Sequence, residues 1–192
     1  RYIQHFLIMF SGTALAQIIN LASYPFLTRL YTPEHFGVFS IFLATSASIG
    51  ALSCGRYDAV IQSSKMYERF AVFKVSQFIN FCVSVISIII FVLLLLLGSS
   101  FFDLLEVSLL GGAIFLTGLC NASSLLLLKH EQYIQGSLSI VIRTLLTAVP
   151  QIGFYYIFEN EYGLMLGFCL GFLFQAVYLY YRIRLNVKWR KS

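Results

Sequence analysis

The stretch from Phe78 to Leu97 reads FINFCVSVISIIIFVLLLLL, and it decides the fold class because it contains no Asp, Glu, Lys, Arg or His. An α-helix rises about 1.5 Å per residue, so about 20 apolar residues cross the roughly 30 Å hydrocarbon core of a bilayer. In that core no water is available to the backbone, and an uninterrupted helix satisfies its own amide and carbonyl groups. The stretch therefore predicts a transmembrane helix.

Similar apolar stretches precede and follow this one along the 192 residues. The composition agrees with several membrane spans, because 59% of the residues are hydrophobic and only 11% are charged. That leaves too little polar surface for a soluble domain of this size. We predict an all-α fold, a bundle of six transmembrane helices, whose spans cover about residues 6–28, 36–55, 78–97, 107–128, 138–158 and 162–181.

The distribution of charged residues predicts the orientation of the bundle. If the amino terminus is cytoplasmic, the cytoplasmic segments contain all but Arg29 of the 13 Lys and Arg residues, as the positive-inside rule requires. Arg143 lies within the apolar pattern of the fifth span, but without that span the basic tail from Arg182 onward would be on the outer side. We therefore retain the fifth span and place both termini of this segment in the cytoplasm.

Charge and cysteine content argue against two other classes of protein. A net charge of +5 can accompany nucleic-acid binding, but on a helical membrane protein a basic patch is a topological anchor, so no nucleic-acid partner is predicted. The four cysteines occur singly, with no CxxC pair and no neighbouring His. Neither a metal site nor a disulfide framework is therefore predicted.

Polar residues recur at helical spacing within several spans. Thr13, Gln17, Asn20 and Tyr24 share one face of the first helix, and such a face is disfavoured in lipid. These stripes have two interpretations that the sequence leaves open: hydrogen bonds between packed helices, or the wall of a hydrated central cavity. Comparable stripes in the third, fourth and fifth helices comprise Ser76, Asn80, Ser84 and Ser87; Thr117, Asn121 and Ser124; and Ser139, Arg143 and Thr147.

Arg143 is the cation inside a predicted span. A charge within the membrane is costly and commonly marks a functional pathway or a charged partner. Its position in the first turns of the fifth span also allows the alternative that its side chain extends to the cytoplasmic surface.

Two smaller patterns predict local structure. Gly163, Gly167 and Gly171 recur every four residues in the sixth span, a spacing that allows two helices to approach closely, so we predict a packing face there. Between the second and third spans, residues 56–74 place apolar side chains on one helical face and charged ones on the other. This segment predicts an amphipathic helix in the cytoplasmic interface, with a plain solvated connector as the alternative.

Two short strings narrow the class of membrane protein. The first, RLYTPEHFG at 29–37, follows the first span, and its Thr32 and Pro33 suit the N-cap and first position of a new helix. The second, RYDAV at 56–60, follows the second span. Together they resemble the paired signatures of polysaccharide repeat-unit flippases, the O-antigen and capsule translocases of the multidrug/oligosaccharidyl-lipid/polysaccharide exporter superfamily. Asp58 stands where that family more usually has Glu, which keeps the carboxylate.

The resemblance implies a two-lobed exporter fold of twelve or more helices, in which residues 1–192 would form the amino-terminal six-helix lobe and the carboxy-terminal lobe would be absent from this chain. It implies a flippase rather than an enzyme. The flippase would move undecaprenyl-diphosphate-linked oligosaccharide across the bacterial cytoplasmic (inner) membrane by alternating access, for the synthesis of O-antigen lipopolysaccharide, capsule or exopolysaccharide.

The partners implied by the resemblance are the lipid-linked oligosaccharide, membrane lipid, a second six-helix lobe and a polysaccharide polymerase complex. The second lobe would belong to the same protein or to a homodimer. No cofactor is implied, and the identity of a coupling ion, H⁺ or Na⁺, stays open.

Such a substrate predicts the kinds of residue that would bind it. A diphosphate requires cations, and sugars require neutral amide and hydroxyl partners. We predict no catalytic residue and no metal ligand. Arg29 also has an alternative to a role in headgroup binding, which is an ion pair with a carboxylate on the outer side. The expected headgroup contacts are Arg29, Arg56 and Arg143, and the expected cavity lining is Gln17, Asn20, Asn80 and Asn121.

Three other functions stay open from the sequence. A cation-coupled small-molecule exporter of the same superfamily would be expected to carry a carboxylate in a span, yet none of the eight acidic residues lies in a predicted span. A membrane enzyme of polysaccharide synthesis would be expected to display paired acidic or His residues in a substantial loop. The predicted outer loops are short, and they lack His apart from His35. The third function is that of a non-transporting assembly subunit, which only scaffolds other proteins.

Overall fold

The computed structural model describes residues 2–54, 60, 69–98, 103–129 and 132–186. Six long helices occupy these ranges, and each contains a stretch long and apolar enough to cross a membrane. This confirms the predicted all-α bundle of six membrane-spanning helices. We number them α1 (Tyr2–Leu30), α2 (Pro33–Ser53), α3 (Arg69–Leu96), α4 (Leu104–Lys129), α5 (Tyr133–Phe158) and α6 (Tyr162–Asn186).

Local chemistry explains where two of the helices begin. α2 begins directly after Thr32, whose side chain accepts a hydrogen bond from the His35 backbone N–H at 3.4 Å, as expected for an N-cap. α4 begins directly after Asp103, whose N–H donates to the Glu106 carboxylate at 2.9 Å. A carboxylate in the first turn that reaches back to the N-cap amide is half of a capping box. Glu106 lies in the first turn of α4, and its side chain is only 4% exposed.

The segment between α2 and α3 differs from the prediction at its carboxy-terminal end. Residues 69–74 belong to α3, because the helix begins at Arg69 and continues without interruption into the apolar span. The structure shows Val60 as helical and exposed. Residues 56–59 and 61–68, which make up the rest of the predicted interfacial helix, lie outside the described residues.

The helices do not pack in chain order. α5 contacts α1 and α6, while α4 contacts α2, α3 and α6. α1 and α2 are joined through Tyr31 and Thr32, yet each packs on a different helix. A cleft therefore separates α1 from α2, with α5 and α6 behind it.

An apolar core fills the space between α2, α4 and α6. Phe42, Ile114 and Met165 are fully buried in it. The rings of Phe42 and Phe168 meet edge to face with centroids 5.9 Å apart, an arrangement that aromatic pairs prefer. This core holds α2 against α6 on one side of the cleft.

α6 lies close against α5 along its regularly spaced glycines. A Cβ built on Gly171 would overlap the Thr147 hydroxyl, and one on Gly163 would overlap the hydroxyl of Tyr31. Gly167 likewise faces α5. The absence of side chains at these positions lets the two backbones approach, which is how small residues promote helix association in membranes.

Candidate functional site

A cavity of about 240 Å³ lies in the cleft between α1 and α2. α1 and α2 supply its two sides, and α5 and α6 form its floor. The described residues that line it are Asn20, Ser23, Tyr24, Leu27, Phe36, Phe39, Leu43, Arg143, Thr144, Thr147, Ala148, Gln151, Phe168 and Phe172.

Arg143 brings a positive charge into this cavity. It lies about 15 Å along the helix axis from the start of α5 at Tyr133. Its guanidinium carbon is 4.8 Å from the centroid of the Phe172 ring, a cation–π contact. The side chain is thus held over Phe172 near the middle of α5, and the alternative of extension to the cytoplasmic surface is not the arrangement found.

The charge of Arg143 has no carboxylate opposite it among the described residues that line the cavity, because none of them is Asp or Glu. The cation–π contact with Phe172 is worth about 0.5–2 kcal/mol, whereas insertion of Arg at the centre of a membrane helix costs about 2.5–3.5 kcal/mol. The cavity therefore favours an anion.

Aromatic rings form the apolar part of the cavity. The centroids of Phe168 and Phe172 are 4.6 Å apart, and Phe39 meets Phe168 edge to face at 6.4 Å. These rings pack on one another and form a continuous aromatic surface. The cavity combines this apolar surface with the cation of Arg143.

Neutral polar groups line the remaining wall. The hydroxyls of Thr144 and Thr147 donate to carbonyls of their own helix, those of Ile140 and Arg143, at 2.9 and 2.8 Å. Each hydroxyl oxygen keeps acceptor capacity, and the amide of Asn20 supplies both donors and an acceptor. Such groups suit the hydroxyl groups of a ligand.

A chain of hydrogen bonds closes the predicted outer end of the cavity. The Tyr31 hydroxyl donates to the carbonyl of Gln151 at 2.7 Å, and the Gln151 side-chain amide donates to the carbonyl of Leu164 at 3.0 Å. Burial, with a smaller contribution from Tyr155, raises the pKa of Tyr31 to about 12, so its hydroxyl stays protonated as a donor at neutral pH. At the same end, His35 and Glu161 approach to 3.5 Å.

The structure brings two of the predicted site residues, Arg143 and Asn20, to the same cavity. Gln17 on α1 and Asn121 on α4 are instead exposed, and neither lines the cavity. Arg29 is exposed in the last turn of α1. Gln17 and Arg29 lie on the surface of α1 that its packing on α5 leaves uncovered, and Asn121 lies on the surface of α4 that α2, α3 and α6 leave uncovered.

Asn80 lies in a helix interface instead of lining the cavity. Its amide nitrogen donates to the carbonyl of Phe115 at 2.9 Å between α3 and α4, and the residue is fully buried. Ser84, one turn further, donates to the carbonyl of Gly111 at 2.7 Å. The stripe on α3 thus serves helix packing. Arg56 lies outside the described residues.

Sequence reasoning missed five polar residues of the cavity, which are Ser23, Tyr24, Thr144, Thr147 and Gln151. Tyr24 and Thr147 belonged to the polar stripes, so stripe membership was a usable signal. Gln151 continues the stripe of α5 by one further step of four residues beyond Thr147, which was also visible in the sequence. Phe172 carried no such signal, because one aromatic residue among many apolar ones is not distinctive.

No protein-family model and no curated protein sequence matches this chain. A solved structure does: the outward-facing conformation of a multidrug resistance MATE family transporter of the MOP superfamily is similar, with a TM-score of 0.65 and 19% sequence identity. The similarity covers 94% of this chain and 44% of that transporter, so the chain spans less than half of the transporter's length. At this level of identity the likeness concerns the fold. The chain is a multi-pass helical membrane protein with the fold of about one half of a MATE family transporter.

Proposed function

We propose that this chain forms one six-helix lobe of a flippase that moves undecaprenyl-diphosphate-linked oligosaccharide from the cytoplasmic to the outer leaflet of the bacterial inner membrane. The diphosphate would lie beside Arg143, the sugars would contact the amides and hydroxyls of the cavity, and the prenyl chain would stay in lipid. The observation that carries the proposal is a cation in a cavity whose described lining contains no carboxylate.

The chemistry of Arg143 favours a phosphate-containing ligand. A guanidinium presents a planar set of donors that matches two oxygens of a phosphate, and such charge-assisted hydrogen bonds are about twice as strong as neutral ones. A site inside the membrane strengthens the attraction further because its effective dielectric constant is low. A cationic ligand would instead be repelled, since the described lining offers it no opposite charge.

The exposed polar side chains of α1 support the proposal that a second lobe packs against this one. Thr13 and Gln17 are exposed there, although polar side chains are disfavoured against lipid. In our proposal this face contacts a second six-helix lobe, of the same protein or of a homodimer, and the substrate moves between the lobes. Contact with a polysaccharide polymerase and coupling to H⁺ or Na⁺ belong to the same proposal. A coupling carboxylate would lie outside the described lining of the cavity.

Replacement of Arg143 in cells whose surface polysaccharide depends on this protein tests the proposal. Arg143→Ala should reduce export at least about tenfold, because a hydrogen bond to a charged group contributes about 1.5–3 kcal/mol. Arg143→Lys should retain part of the activity, since it keeps the charge. Arg184→Ala removes the same charge from an exposed position and should leave export unchanged. Polysaccharide is compared at equal membrane abundance, and full export by Arg143→Ala would contradict the proposal.

A small-molecule exporter is the second candidate. The similarity to a multidrug resistance transporter favours it, and a cavity of about 240 Å³ is closer in size to a small molecule than to an oligosaccharide. Because of Arg143, the substrates would be organic anions. Efflux of a fluorescent organic anion that is lost in Arg143→Ala, together with normal polysaccharide in that variant, would favour this candidate over the flippase.

A further inference from the structure

Two polar atoms near the carboxy end of α6 are buried without a hydrogen-bond partner among the described residues. They are the hydroxyl of Tyr178 and the Nε of Arg182. The two residues are one helical turn apart on the same face of α6, and the guanidinium carbon of Arg182 lies 5.4 Å from the centroid of the Tyr178 ring. The ring thus orients the guanidinium. The Tyr178 hydroxyl and the Arg182 Nε are two neighbouring donors that lack an acceptor among the described residues.

The chemistry of these groups selects an anion. An arginine side chain only donates hydrogen bonds, and a tyrosine hydroxyl is a good donor beside it. A buried donor without an acceptor is destabilising, so a ligand that supplies oxygen acceptors removes that destabilisation. In the part of the chain that the structure describes, no carboxylate forms an ion pair with Arg182. The missing acceptor is therefore an oxyanion.

The position of Tyr178 and Arg182 along α6 indicates which molecule supplies that oxyanion. Tyr180 and Tyr181 are exposed around the same turn, and exposed tyrosines of this kind form the aromatic belt at the membrane–water interface. α6 ends at Asn186, so Arg182 lies in its last turns, at headgroup depth. α5, the antiparallel neighbour of α6, begins at the same end of the bundle, and the positive end of its dipole also favours an anion.

We propose that Arg182 and Tyr178 bind the phosphate of a phospholipid headgroup in the leaflet at the carboxy end of α6. In the lipid-bound state the two side chains turn outward from their buried positions, so that the guanidinium and the phenol hydroxyl both donate to phosphate oxygens. The acyl chains lie along the exposed apolar face of α6. This site is separate from the Arg143 cavity, and it does not depend on which substrate the protein transports.

Lipid binding to the purified protein tests this site. Native mass spectrometry with added phosphatidylglycerol should show a retained lipid, and Arg182→Gln or Tyr178→Phe should weaken retention about tenfold or more, as expected for a lost hydrogen bond to a charged group. Arg184→Gln and Tyr181→Phe make the same chemical changes at exposed positions of the same helix end and should retain the lipid. Tyr178→Phe keeps the ring, so it carries the test if Arg182→Gln fails to fold.

Two further measurements separate the sources of phosphate. Phosphatidylglycerol should raise the midpoint of thermal unfolding, whereas a phosphate-free galactolipid should not. Equal retention by the wild-type protein, Arg182→Gln and Tyr178→Phe would overturn the site. An equal loss in Arg184→Gln would show that only the net charge of the helix end matters, and stabilisation by inorganic phosphate alone would overturn the assignment to a lipid.

Discussion

The hydroxyl of Tyr31 donates a 2.7 Å hydrogen bond to the carbonyl oxygen of Gln151, although the two residues are far apart in sequence. This bond attaches the corner between α1 and α2 to the α5–α6 pair near the end where α5 finishes and α6 begins. Gly163 makes it attainable, because a Cβ at that position would overlap the Tyr31 hydroxyl. Tyr31 belongs to the RLYTPEHFG string, so the structure gives one residue of that string a mechanical role at the end of the cavity.

Tyr31→Phe should lower the stability of the folded protein by about 1 kcal/mol, the usual net contribution of one buried hydrogen bond. The loss should be modest because the Gln151 carbonyl also accepts the backbone hydrogen bond within α5. Thermal unfolding of the purified protein measures it. Tyr156→Phe removes a hydroxyl from a side chain that is 74% exposed and serves as the control. Equal midpoints for both variants would show that the Tyr31 bond contributes nothing.

Gly171→Ala should destabilise the contact between α5 and α6. The new Cβ would overlap the Thr147 hydroxyl and lie 2.9 Å from the Arg143 carbonyl oxygen, so the helices must separate. Overpacking of this kind costs about 1–3 kcal/mol. Gly112→Ala is the matched control, because a Cβ on Gly112 meets no atom within 4 Å. Thermal unfolding that is unaffected in Gly171→Ala would contradict the close packing.

Access of water to the cavity can be measured at Asn20. In a background in which the four native cysteines are replaced by alanine, Asn20→Cys should react with a charged, membrane-impermeant thiol reagent in open membranes. Ala122→Cys is the control, because Ala122 is fully buried between helices and should react far more slowly. Similar rates at the two positions would mean that the cleft between α1 and α2 does not admit water.

Substitution of Asn20 and of Asn80 should distinguish a role in substrate binding from a role in helix packing. Asn80→Ala removes the 2.9 Å hydrogen bond to the Phe115 carbonyl, so it should lower stability by about 0.6–1.7 kcal/mol, the range for such bonds in membrane proteins. Its export of polysaccharide per folded protein should be unchanged. Asn20→Ala should show the opposite pattern, with normal stability and reduced export. Paired thermal unfolding and polysaccharide assays distinguish them, and reduced specific export by Asn80→Ala would contradict its assignment to packing.

Local chemistry in the sequence determined the elements of the fold. Apolar stretches of membrane length specify the six helices, since each satisfies its own backbone hydrogen bonds in lipid. Thr32 and Pro33 specify the start of α2, and the spacing of Gly163 and Gly171 specifies a face that approaches another helix. These features depend on neighbours within one or two turns, so they can be predicted from the residues alone.

The tertiary structure alone decided which polar residues share a site. Asn20 and Gln17 lie one turn apart on α1, yet only Asn20 lines the cavity, because α1 packs on α5 and not on α2. Arg143 meets Phe172 because α5 packs on α6. A helical pattern records how side chains are arranged around one axis, whereas the partner of each face is set by contacts between helices distant in sequence. The six helices and their polar faces were therefore readable from the sequence, but the cation over an aromatic ring in the cleft was not.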